Sequence, residues 1–205
     1  MNITCIGHSG FLVSLPSFNL IFDYYTDKTS VISPEIFMNK KTCVFVSHGH
    51  SDHYNQDIFE WNSYGDILYV IDAGCSSPDD DRIIKMNEGE NIKLFESAIN
   101  VNAYGSTDEG LSFLVGVDDI TLFHAGDLND WYWEGESTSE KLLESEENYL
   151  RIIKQLVGQY IDVAFMPQDP RLGVHADRGI QHFKDIVAPL RVIPMHFPGN
   201  DGMKY

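Results

Sequence analysis

Cys43-Val44-Phe45-Val46-Ser47-His48-Gly49-His50-Ser51-Asp52-His53 is the stretch whose reading decides the fold. Its first half is apolar and β-branched, the pattern of a buried strand. Its second half crowds imidazoles and a carboxylate into a tight loop at the strand end, where α/β folds place their chemistry. Gly49 and Ser51 are small, so the loop can curl and let alternate side chains converge. Imidazole and carboxylate together suit zinc, iron, manganese or nickel. Burying the same groups without an ion would cost roughly 1–3 kcal/mol for each one left unsatisfied. The loop therefore reads as a metal site.

Upstream of it, residues 2–6, 11–15 and 18–22 are apolar runs separated by Gly10 and by Pro16-Ser17, and they read as strands. Asp23 follows the third. It is either a turn cap or a carboxylate that orients the histidine loop, since ligating histidines usually hand their second N–H to such a partner. His8 is either a pocket-lining residue or an ordinary hydrogen-bonded histidine.

Downstream, residues 26–41 form a surface connection, 54–61 begin a short helix, 67–71 are a strand and 78–81 a solvated turn. Residues 92–95 and 99–104 alternate as half-buried strands do, and 111–117 and 120–123 make a hairpin around Asp118-Asp119. Trp131-Tyr132-Trp133 line a substrate pocket or a subunit contact, or pack in the core. Ser137-Thr138-Ser139-Glu140 fits a capping box. Tyr149, Leu150, Ile153, Leu156, Val157 and Tyr160 follow at helical spacing, and Glu136, Glu140, Glu144, Glu146 and Glu147 form a solvated face. Residues 161–165 are a strand leading to a loop from which Asp169 and His175 could reach the site, unless Asp169 caps a turn and His175 sits in solvent. A helix over 176–187 has His182 on its surface, and a last strand over 191–195 leads to His196.

The bulk composition narrows the function. A chain of 205 residues, 43% hydrophobic, suits one domain spanning 1–205. It has no apolar run long enough to span a membrane and no secretory leader pattern, so a cytoplasmic protein is expected. Cys5, Cys43 and Cys75 are scattered and read as reduced, buried thiols. The net charge is −17, with 14 Lys and Arg against 31 Asp and Glu. Long nucleic acid needs neutralising cations and is not an expected partner. A small-molecule substrate is expected, with a homo-oligomer as a further option.

The His-x-His-x-Asp-His loop after a buried strand resembles the signature of the metallo-β-lactamase fold superfamily. Gly7-His8-Ser9-Gly10-Phe11-Leu12-Val13 with Leu20-Ile21-Phe22-Asp23 is similar to its opening hairpin and first acidic motif. Thr121-Leu122-Phe123-His124-Ala125-Gly126-Asp127 resembles the strand ending in a metal-bridging aspartate. Val192-Ile193-Pro194-Met195-His196-Phe197 resembles the strand delivering the last histidine. The resemblance implies an α/β four-layer αββα sandwich, with two sheets face to face and helices outside. It implies that His48 and His50 bind a first metal, that Asp52, His53 and His196 bind a second, and that Asp127 bridges them. It departs from the pattern at 103–115, where members carry a third histidine and this chain has none. Ser106, Asp108, Tyr104 or water would stand in.

The resemblance further implies a hydrolase that uses a metal-bound hydroxide on a small ester, lactone, amide or phosphoester. The cofactor would be one or two divalent ions, zinc first, with iron, manganese or nickel as alternatives. Asp52, besides holding metal, would orient the nucleophile or receive its proton. The alternatives are a non-catalytic or mononuclear metal-binding protein of this fold and an iron-dependent redox enzyme.

Overall fold

A computed structural model describes residues 1–135 and 137–205 of the chain. Glu136, assigned above to the solvated helix face, lies outside the described residues. The chain divides into two units, Met1–Asn87 with Pro198–Tyr205, and Glu88–Phe197. Each holds one six-stranded sheet.

In the first unit the strands are β1 (Asn2–Gly7), β2 (Gly10–Ser14), β3 (Phe18–Phe22), β4 (Lys41–Val46), β5 (Ile67–Asp72) and β6 (Ile83–Met86), paired in chain order. The first three are antiparallel, joined by the tight turns that Gly10 and Pro16-Ser17 signalled; β3 to β6 are parallel. Strand β4 is buried along all but its first residue, which accounts for its uninterrupted apolar run. One face of the sheet packs Ile21, Val44, Val46, Tyr69 and Ile71 against Phe37, Ile58 and Trp61.

Phe37 belongs to a 3-10 turn, Pro34–Phe37, so the expected surface connection contributes to the core. The helix expected at 54–61 is also 3-10, Gln56–Ser63, started by Asn55 accepting from the Asp57 N–H. The tail 198–205 runs along β1: Cys5 N–H donates to Met203 O, Gly202 N–H to Cys5 O and Tyr205 N–H to Ile3 O. That pairing covers an edge otherwise open to another chain. Strand β6 was not anticipated.

In the second unit β7 (Asn91–Leu94), β8 (Ile99–Gly105), β9 (Leu111–Val117) and β10 (Ile120–His124) form an antiparallel meander. Strands β11 (Val163–Pro167) and β12 (Val192–Met195) then add in parallel beyond β10. Helix α1 (Ser139–Ile153) and helix α2 (Arg178–Ile186) supply the crossovers. The cap of α1 is Thr138, accepting from the Lys141 N–H, one residue later than the expected Ser137. Such a cap contributes about 1 kcal/mol.

Tyr149, Ile152, Ile153 and Leu156 are the buried positions of the helical run, whereas Val157 and Tyr160 are exposed because the helix has already ended. Phe183 of α2 stacks on Phe123 of β10 at 5.1 Å. Gly179 lets α2 come close to the loop after β10, since a Cβ there would stand 2.0 Å from Asn129 Oδ1.

All three cysteines are buried and reduced; burial pushes the Cys5 thiol up to about 12 and raises that of Cys43 well above its ordinary value. Thiolate is the reacting form, so these sites should be inert in the folded protein. A chromogenic thiol reagent should titrate no cysteine in the native protein and all of them after unfolding. Fast labelling of the native protein would contradict this packing.

Candidate metal centre

Strands β1, β3 and β4 run the same way, so His8, Asp23 and the 47–53 loop all leave the first sheet at one end. The loop folds back at once: the His53 and Tyr54 N–H groups both donate to His50 O. Beneath it lies Asp23, 1% exposed. Its Oδ1 accepts from Ser47 N–H at 2.7 Å; its Oδ2 meets Ser47 Oγ at 2.7 Å and His53 Nδ1 at 2.8 Å.

Because a carboxylate only accepts, Ser47 must spend its one proton there and His53 must carry its own on Nδ1. Ser47 Oγ then accepts from His48 Nδ1, 2.9 Å away. A single carboxylate thereby fixes both tautomers and leaves Nε2 of His48 and of His53 carrying lone pairs, the form that binds metal. His50 Nδ1 lies 3.0 Å from His48 Nε2. Two nitrogens on one tetrahedral ion, each bonded at about 2.0–2.1 Å, stand roughly 3.3 Å apart, so the pair is already near chelating geometry.

His48 and His53 are fully buried, while His50 and Asp52 face outward. His8 Nε2 is 3.5 Å from Asp52 Oδ2, and its ring meets the His53 ring edge-on at 5.4 Å. Of the two readings offered for Asp23, the orienting carboxylate is the one realised.

In the second unit Asp127 follows β10 through Gly126, whose φ of 54° turns the chain. His196 follows β12, buried, with its Nε2 3.4 Å from Asp127 Oδ1. Its Nδ1 lies 3.1 Å from Asp169 Oδ2. Asp169 also starts the 3-10 segment Pro170–His175 by accepting from the Arg171 N–H, so both readings of this residue hold. Burial pushes the Asp169 carboxyl up, but its hydrogen bonds from Arg171 and the nearby His196 outweigh that and hold it below the usual range.

Trp131 Nε1 donates to Asp127 O, and its ring meets His196 edge-on at 5.4 Å. It stacks on Trp133 at 6.1 Å. Trp131, Tyr132 and Trp133 are all half-buried, so the core reading of this run does not apply. Thr107 stitches the segment that lacks the third histidine to this loop, through contacts of Oγ1 with the Asn129 backbone. Asp108 there is exposed and has an oxygen within 4.8 Å of an Asp127 oxygen.

Three of the described histidines go elsewhere: His124, buried at the end of β10, accepts from the Gly126 N–H at its Nδ1, and the other two lie further along. His175 pairs with Glu134 at 3.0 Å and packs on Tyr132. His182, expected on a helix surface, is half-buried beside Asp130 and Glu146. Sequence reading also passed over Asn200, which binds both backbone groups of His8. Nothing in a lone asparagine near the C-terminus signals that role.

A family model, the Beta-lactamase superfamily domain, matches residues 2–138. No curated protein sequence matches the chain. Among solved structures it is similar to Igni18, a metallo hydrolase from the archaeon Ignicoccus hospitalis, with TM-score 0.65 and 19% identity over 96% of this chain and 82% of that one. It is similar to the metallo-β-lactamase fold protein YhfI from Bacillus subtilis, with TM-score 0.56 and 11% identity over 100% and 98% of the two chains. It is also similar to CmlA, a diiron β-hydroxylase from Streptomyces venezuelae, with TM-score 0.57 and 11% identity over 96% of this chain but 44% of that one. On the match to residues 2–138 and the shared fold, the chain belongs to the β-lactamase superfamily domain family and has the α/β fold of the metallo-β-lactamases.

Proposed function

We propose that the chain is a metal-dependent hydrolase acting on a small ester, lactone, amide or phosphoester, in a single domain of this fold. His48, His50, Asp52, His53, Asp127 and His196 serve as its metal ligands, with zinc the first choice of ion. The observation that carries this reading is the Asp23 network, which sets the tautomers of His48 and His53 for coordination. A bound divalent ion supplies Lewis acidity, bringing the pKa of a coordinated water toward about 7 and stabilising a developing oxyanion.

The chain's own groups do the rest. Asp169 orients His196 as Asp23 orients His53. Asp52, with its side chain 51% exposed, orients the nucleophile or takes its proton. Asp108 stands where the third histidine is missing. The face of Trp131 beside Asp127 and His196 gives a substrate an apolar wall. A cleft of about 320 Å³ lined by Tyr132, Trp133, Arg171 and His175 is sized for a small molecule. Reduced cysteines suit a cytoplasmic setting, and the net charge of −17 disfavours nucleic acid.

A second reading, iron-dependent oxidation, draws on the likeness to CmlA. The iron content of the native protein separates it from the first.

Elemental analysis should find one or two divalent ions per chain. His48→Ala and Asp127→Ala should each lower both metal content and hydrolysis while the far-UV spectrum is kept. A metal-loaded wild type inert on all four substrate classes would sink the hydrolase reading. Asp52→Asn should lower kcat by roughly 10²–10⁴-fold if it handles the proton, and unchanged turnover would remove it from that role. Asp23→Asn replaces no metal ligand, yet it sets an amide N–H against the His53 and Ser47 donors; metal affinity should fall roughly 10–100-fold, measured by chelator competition.

A further inference from the structure

We infer that His8 is a metal ligand, completing with Asp52 and His53 a three-donor set on the first unit, and that Asn200 is the residue that holds it in place. This rests on the metal-dependent reading above and adds a donor beyond the six residues proposed there.

One ligand atom each from His8, Asp52 and His53 lies within 4.8 Å of the others. Around an ion bonded at about 2.0–2.2 Å, neighbouring donors stand roughly 3.0–3.5 Å apart and opposite ones about 4.4 Å. The set fits that compass. The 3.5 Å between His8 Nε2 and Asp52 Oδ2 is longer than a charge-assisted hydrogen bond of about 2.7–2.9 Å. It is the spacing of two ligands on one ion. The edge-on ring contact at 5.4 Å sets the His8 imidazole beside that of His53, whose Nδ1 is already committed to Asp23.

The backbone points the same way. His8 has φ 52°, the left-handed region, which is uncommon for a residue other than glycine. A glycine would take this turn without penalty. Strain kept at a position where glycine would serve is explained when the side chain itself is needed.

The conformation is held from far along the chain. His8 N–H donates to Asn200 Oδ1 at 3.0 Å, and Asn200 Nδ2 donates to His8 O at 2.7 Å. Asn200 is fully buried, and its segment is pinned by the pairing of Gly202 and Met203 with Cys5. A reciprocal clamp on both main-chain groups fixes where the imidazole starts without using the ring. Asn200 is therefore a positioning residue.

The test uses the full chain, stripped with a chelator and titrated with Co²⁺. Two signals are read: visible d–d absorption, which reports coordination number, and hyperfine-shifted exchangeable imidazole N–H resonances, which report the bound histidines. The wild type should show shifted resonances from His8 as well as His48, His50, His53 and His196. His8→Asn is the variant of choice because asparagine tolerates the left-handed region. It should lose one shifted resonance, change the d–d spectrum and bind Co²⁺ roughly 10–100-fold more weakly.

Asn200→Ala should weaken Co²⁺ binding while keeping every donor, and should add no further loss in the His8→Asn background. A wild type without a shifted His8 resonance, or a His8→Asn protein with unchanged resonances and affinity within twofold, overturns the assignment. Independent, additive losses from the two variants remove Asn200 from the positioning role. Wild-type protein that takes up no Co²⁺ at all would instead sink the metal-dependent reading beneath it.

Discussion

A buried carboxylate is costly unless both of its oxygens are hydrogen-bonded. Asp23, with 1% exposure, meets that demand through Ser47 N–H, Ser47 Oγ–H and His53 Nδ1–H. The consequence is not local. Each donor it takes is a proton whose position is settled, and Ser47 passes the constraint on to His48. The histidine loop thus holds its metal-binding tautomers through one anion that never needs to touch an ion. Asp23 itself sits at φ 42°, a conformation that aspartate tolerates better than most residues. Strand β4 delivers Ser47 and the loop over this anion, and burial is continuous from Thr42 through His48.

The second unit repeats the device with different chemistry. His196 hands Nδ1 to Asp169 as His53 does to Asp23, and it too occupies the left-handed region, at φ 68°. Asp169 is satisfied by the backbone N–H and the guanidinium of Arg171, where Asp23 takes the backbone N–H and hydroxyl of Ser47 at a neighbouring strand end. Burial alone would raise its carboxyl; the guanidinium and His196 reverse the sign. Two carboxylate–histidine pairs at strand ends, built from unrelated surroundings, make the tautomer requirement the shared constraint.

Much of this was legible in the residues. The loop 48–53 is dense in chemistry, so chance explains it poorly, and Asp23 stands right after a strand end, where an orienting carboxylate is expected. The alternating strands and the hairpin at Asp118-Asp119 follow from side-chain period and turn chemistry. What was missed depends on long-range contact. Ile83–Met86 is a short edge strand with a lysine in it, and only its pairing with β5 makes it a strand. Val157 and Tyr160 match the helical period, but the helix ends at Ile153 and leaves them in solvent. The Thr138 cap wins over Ser137 by one residue, a boundary that propensity does not resolve. The Asn200 clamp lies 192 positions from His8 and has no local signature.

Charge distribution bears on what the hydrolase reading can serve. Among the described residues of the second unit, two arginines lie against buried acids: Arg171 on Asp169, and Arg178 on Asp130, whose carboxyl burial pushes up despite that partner. Asp169 orients His196, and Asp130 stands three positions after Asp127, where Arg178 also ties it to Glu146 of helix α1. Both guanidiniums are thus used to steady strand-end loops rather than to form a surface for phosphates. In a chain of net charge −17, a substrate with many negative charges would meet repulsion along its length. A compact substrate that develops its charge at one atom needs compensation only there, and the ion would supply it. Under the hydrolase proposal, the net charge of −17 and the use of Arg171 and Arg178 against buried acids fit a compact substrate better than a polyanion.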